Sequence, residues 1–214
     1  MSNNNNKSIF YVLILFFILF LAALNIIEQY FLVTNERTLT SLADNPDFER
    51  FKVYFESKPE ISVLEIATFV ASSIIGYYLI VFLFYASVKI CDLQISFSAL
   101  SKSLLIAHFA FLIALLIKIS VFLFKTDFSI KDYNSYYPLS LMNLFQYGDV
   151  DKWLVTIFQA VNLFQIPFFL LLYFSLPALD KGSSNFKLLW SLSTYVAIVS
   201  LWLILATFFQ LMFA

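Results

Sequence analysis

The side chains of this chain that could do chemistry away from water are few: Lys118, Glu65, Glu28, His108, Gln159, Asn162 and Gln165, with Pro167 next to the last. Each lies within or at the edge of a long apolar run. Ionisable groups in such runs are costly, so they mark ion pairs, relays or substrate paths. Lys118 precedes Lys125 by about two helical turns, and its stem can snorkel toward an interface. Glu28 and Glu65 reach the same half of the membrane, so an ion pair from Lys118 to one of them is expected, fixing the helix arrangement. His108 falls in the opposite half with no acid near it in sequence. It is expected to be a hydrogen-bonded packing residue, since a proton relay would need a carboxylate beside it. Gln159 and Asn162 are three apart and share a helical face. Such amides bond across helix interfaces in lipid for about 0.6–2 kcal/mol; a substrate site including Gln165 is the sharper alternative. Pro167 takes the helical donor away from the Leu163 carbonyl and predicts a kink.

Nothing in the pattern points to catalysis. The chain has no H-E-x-x-H pair, nucleotide loop or Ser–His–Asp constellation, and its loop acids are scattered. One histidine supplies too few ligands for a His-based metal centre, and one cysteine, Cys91, allows no intrachain disulfide. No cofactor is expected. A net charge of −1 offers nothing to nucleic acid.

The elements that must position these groups follow from length and hydropathy. The 214 residues are 61% hydrophobic and 13% charged, against the ~25% charge of a soluble domain. Mean hydropathy is +0.85. Five apolar stretches, at about 9–29, 62–88, 103–124, 153–176 and 188–213, each reach the ~18–20 residues that cross a ~30 Å hydrocarbon core as a helix. Lipid offers no partner for an open backbone, so helices rather than strands are required. The expected fold is all-α, an integral membrane bundle of five transmembrane helices forming one membrane domain over 1–214. With 27 Phe and only 3 Gly, packing should come from large interlocking side chains rather than GxxxG contacts. The first stretch is too long for a signal-peptide core and lacks an A-x-A site, so a retained helix is expected.

The polar loop 34–61 carries a helix-start pattern: Asn45 as cap, Pro46 at the first position and Asp47 in the first turn. Phe48, Phe51 and Phe55 then line one face, which predicts a short amphipathic helix lying on the membrane surface or against the bundle. Ser62 and Glu65 fit a capping box opening the second span. The loop Lys125–Lys152 is rich in Tyr and Asp. Its apolar middle, Pro138–Phe145, is too short to cross and is expected as an interfacial helix. Positive charge is slightly denser in the short links, which predicts a cytoplasmic N-terminus and an outside C-terminus.

The C-terminal half resembles a known family. Tyr137-Pro-Leu-Ser-Leu-Met-Asn-Leu-Phe145, then Asn162-Leu-Phe164, then the Lys181–Lys187 link and a final apolar span are similar to the Yip1-type five-span membrane proteins, and more particularly to their small bacterial members. Ile95-Ser-Phe97-Ser-Ala-Leu-Ser-Lys102 is similar to the family's segment before its third helix. The likeness covers roughly Ile61–Phe213 and departs at Gln165-Ile166-Pro167, where the family tends to continue with aromatics and often a Gly. It implies a non-enzymatic protein of the bacterial inner (plasma) membrane. The resulting expectation is a scaffold or accessory subunit that meets membrane lipids and either another membrane protein or a homo-oligomer. The alternative is a small transporter or channel, which a water-accessible cavity reaching Asn162, Gln165 or Lys118 would favour and a solid bundle would not.

Overall fold

A computed structural model of the chain describes residues 2–43, 45–59, 62–125, 127–145, 150–177 and 184–213. Helix α1 (Ser2–Ile27) runs into a π-helical turn at Glu28–Leu32. Two short helices follow, α2 (Asn35–Ser41) and α3 (Phe48–Ser57), then the long α4 (Val63–Ile90) and α5 (Phe97–Phe124). Next come α6 (Ile130–Ser135), a 3-10 turn at Leu141–Leu144, α7 (Lys152–Ala160), α8 (Gln165–Ser175) and the 30-residue α9 (Ser184–Phe213).

Among the described residues, four helices are long and apolar enough to cross a membrane: Phe10–Leu32, Val63–Ile90, Phe97–Phe124 and Asn185–Met212. The fifth expected span, 153–176, is not one helix. It divides into α7 and α8, and the 11 residues of α8 reach only about 16 Å, half of a hydrocarbon core. Continuous apolar composition hid this division, because periodicity records burial and not where the backbone ladder stops.

Local chemistry accounts for the starts and stops. The Ser96 hydroxyl accepts the Ala99 N–H at 3.2 Å and starts α5 two turns before the expected boundary. The Ser62 hydroxyl accepts from Glu65 N–H at 3.4 Å, but the Glu65 carboxylate turns to Lys58 instead of closing the box. Helix α4 ends in a Schellman pair, Leu93 N–H to Val88 carbonyl (2.9 Å) and Asp92 N–H to Lys89 carbonyl (3.2 Å), with Asp92 at φ 53°. The expected amphipathic helix exists but begins at Phe48. Asn45 instead accepts the N–H of Asp47 in a local turn (2.9 Å). Its Phe48, Phe51 and Phe55 face is half-buried, and Asn35 of α2 ties down the Phe55 and Lys58 carbonyls (3.2 and 2.9 Å). Helix α2, capped by Thr34, was not anticipated.

The bundle's directions are fixed by named contacts. Along α1 and α5, Phe17 meets Phe109 while Leu24 packs with Ile119 and Phe122, so the two run parallel. Helix α4 opposes them. Thr194 of α9 donates to Ser87 of α4 (3.2 Å) and Trp190 packs on Phe84, while residues around 202 lie by Leu79; α9 therefore opposes α4 and parallels α5. Ser103, near the start of α5, donates to the Ser175 carbonyl at the end of α8 (2.8 Å), and Gln210 near the end of α9 donates to Thr156 of α7 (2.8 Å). The chain thus returns from the end of α5 to the start of α9 through α7 and α8 together. The core lies where α4, α5, α8 and α9 meet, around Val81, Phe84, Leu104, Leu105, Phe168 and Leu172, all at most 1% exposed.

Candidate functional site

The division between α7 and α8 is built by the three amides of the sequence, Gln159, Asn162 and Gln165. A helix that stops inside a bundle leaves carbonyls and N–H groups that must find partners. Asn162 Nδ2 donates to the Gln159 and Ala160 carbonyls (3.2 and 3.1 Å), and its Oδ1 accepts the Phe164 N–H (3.1 Å). Gln165 Nε2 also donates to the Ala160 carbonyl. The remaining groups pair with the loop after α6. Leu141 N–H donates to the Val161 carbonyl (2.8 Å) and Leu163 N–H to the Leu139 carbonyl (3.1 Å), an isolated antiparallel bridge of Ser140 with Asn162. Gln159 Nε2 donates to the Asn134 and Ser135 carbonyls, both at 2.8 Å, holding the end of α6. Asn162 therefore caps backbone of its own neighbours, while Gln159 reaches across to backbone carbonyls at the end of α6.

Pro167 also has a different role. It is the third residue of α8, where no intrahelical donor is required, and the Leu163 carbonyl accepts instead from Ile166 N–H (3.1 Å). The expected kink at Pro167 is a full break three residues earlier. Similarly, Pro138–Phe145 is not an interfacial helix. Its turn closes with Ser140 N–H on the Tyr137 carbonyl (3.2 Å) and Leu139 at φ 54°, and only Leu141–Leu144 coils, as 3-10. The segment runs back along α5: Tyr133 packs on Phe122 (5.0 Å between ring centroids), and Tyr137 shares a cleft with Phe111, midway along α5.

Two adjoining clefts flank the break and share Phe111, Tyr195, Val199 and Trp202 as walls. The larger, about 460 Å³, is apolar and lies between α4 and α9, with His108 and Phe168 at its back. The smaller, about 290 Å³, is bounded by Tyr137, Thr156, Gln159, Asn162 and Gln165. His108 Nδ1 lies 2.7 Å from the Leu104 carbonyl. A carbonyl only accepts, so Nδ1 carries the proton and a neutral ring leaves Nε2 as an acceptor. Its ring sits edge-on to Tyr77 and Phe168 (5.6 and 5.5 Å). Among the described residues, no Lys, Arg, Asp or Glu lines either cleft. Of the sequence candidates, Gln159, Asn162 and Gln165 thus line the smaller cleft together, and His108 lines the larger cleft beside it.

Lys118, Glu28 and Glu65 lie elsewhere. Lys58 takes Glu65 at 2.6 Å. Among the described residues Lys118 forms no salt bridge; its ammonium stands 4.1 Å over the Tyr133 ring, a cation–π contact. Glu28 acts on Lys118 by its charge, and on Tyr133 by its charge and its side-chain contact. Burial first, and Glu28 next, push the Tyr133 phenol well above its ordinary range. Gln29 Oε1 is buried without a hydrogen-bond partner among the described residues.

Sequence reasoning missed Tyr137, Thr156, Tyr195 and Trp202 as cleft residues. Each sits in an apolar or interfacial run where aromatic and hydroxyl residues are ordinary, so no local signal separated them. Among the described residues no group of three or more His, Cys, Asp or Glu gathers to hold a metal ion. Comparison with family models, with curated proteins and with solved structures finds no match to this chain.

Proposed function

We propose that this chain is a non-enzymatic, five-passage membrane protein that binds a small molecule at mid-depth, as a carrier or channel does. The supporting observation is the interrupted α7–α8 return, whose non-helical backbone lies beside Phe111 at the middle of α5 and borders a cleft. Irregular backbone at membrane depth is tolerated where it is buried in protein or lines a cavity, and broken helices beside a mid-bilayer site are a recurring device of transporters. A scaffold or accessory subunit, the first expectation, has no need of such a break. Of the two functions weighed from sequence, the cleft at Asn162 and Gln165 favours the transporter.

The α7–α8 pair makes the fifth crossing in this reading, placing the start of α1 and the end of α9 on opposite sides. We place the N-terminus in the cytoplasm of a bacterial inner membrane, with surrounding lipid as the constant partner. The Yip1-like runs also fit this picture, because Tyr137–Phe145 and Asn162–Phe164 are the two segments that pair at the break.

Thiol accessibility tests the proposal. Ala160→Cys, in a Cys91→Ser background, should react with a membrane-impermeant maleimide, whereas Ile204→Cys, on a face 66% exposed outside either cleft, should stay unreactive in lipid. Native Cys91, exposed at the end of α4, should react only from the cytoplasmic side. An unreactive Ala160→Cys would leave the cleft without water and withdraw the carrier reading.

A further inference from the structure

The chemistry of the two clefts goes beyond the presence of a site to the class of its ligand. We infer that the composite cleft binds a single-chain amphiphile whose head is uncharged and donates hydrogen bonds, such as a long-chain alcohol. This inference rests on the carrier reading above.

The larger cleft is walled by aliphatic and aromatic side chains of α4, α5, α8 and α9. Its volume falls in the ~300–1,000 Å³ range of small-molecule sites. Its rim, Leu79 at 58% and Trp202 at 52% exposed, faces outward between α4 and α9 and would admit an apolar chain sideways from the bilayer. Four shared walls carry that chain directly to the smaller cleft.

The smaller cleft selects the head. The amide nitrogens of Gln159 and Asn162 each donate to two backbone carbonyls, Gln165 Nε2 donates to one, and Asn162 Oδ1 accepts the Phe164 N–H. Gln159 Oε1 and Gln165 Oε1 accept from no group among the described residues, and His108 Nε2, at the back of the adjoining larger cleft, is a further acceptor. The hydroxyls of Tyr137 and Tyr195 can donate or accept. A site rich in acceptors suits a donor. With no charged side chain among the described residues of either wall, a carboxylate or ammonium head would be desolvated there without a counter-charge, which is heavily penalised.

Trp202 lines both clefts and serves as the reporter. The Trp153→Phe/Trp190→Phe variant leaves it as the sole tryptophan of the three. This protein, in nanodiscs of unbrominated lipid, is titrated with chain-brominated hexadecanol, hexadecanoate at alkaline pH, and hexadecyltrimethylammonium. Hexadecanol should quench saturably, at a mole fraction lower than either charged probe by about tenfold or more. Val199→Phe, narrowing the shared wall, should raise its half-saturation and leave the linear partitioning component unchanged. Saturable quenching by a charged probe at equal or lower mole fraction overturns the head-group assignment alone. Linear, head-independent quenching by all three overturns the site itself, as would an unreactive Ala160→Cys.

Discussion

At the scale of single residues, Asn162 matters more than its modest chemistry suggests. One amide satisfies two carbonyls and one N–H of a stopped helix. Leucine at that position keeps the volume and apolarity of a membrane helix and removes all three bonds. Leaving buried backbone groups short of partners costs about 1–3 kcal/mol. Asn162→Leu should therefore lower the unfolding free energy in lipid nanodiscs by an amount in that range. Unchanged or raised stability would mean that the segment closes into a continuous helix without penalty. The sequence singled out Asn162 for its polarity. Its partners could not be read there, because all three are backbone groups of its own neighbours and the bridge to Ser140 comes from a distant loop. Lys118 teaches a related lesson. The sequence suggested an ion pair with Glu28 or Glu65, but the ring of Tyr133 that receives its ammonium comes from a segment after α5, with no spacing rule to announce it.

At the scale of elements, the long helices were legible because a membrane imposes a length and an apolar composition on any crossing. Their caps at Ser62 and Ser96 use ordinary hydroxyl chemistry. The broken span was not legible, since an apolar run looks the same whether one helix or two occupy it. Pro167 was the strongest local signal and admits two meanings. In a helix interior it removes a bond and costs about 3 kcal/mol or more; in a first turn it costs almost nothing. Pro167→Ala separates them. With Pro167 in the first turn of α8, the substitution should shift stability by less than about 1 kcal/mol. A gain near 3 kcal/mol, read by chemical unfolding in micelles, would restore the mid-helix kink and remove the break.

At the scale of the whole molecule, three long helices run one way (α1, α5 and α9), while α4 and the divided α7–α8 return. The two returns differ in kind. Helix α4 is an unbroken 28-residue rod, whereas the other is two short helices stitched to a loop that folds back along α5. That asymmetry opens the clefts at one flank and leaves the α1 side closed by aromatic packing of Phe16 and Phe17 on Phe109. The most direct test is a nitroxide scan of 153–176 in bilayers, reading accessibility to molecular oxygen and to a water-soluble nickel chelate at each position. The broken, cleft-lining return requires chelate accessibility to peak across 159–165, with the 3.6-residue oxygen rhythm interrupted there. An unbroken oxygen rhythm from 153 to 176, with the chelate excluded throughout, would contradict it.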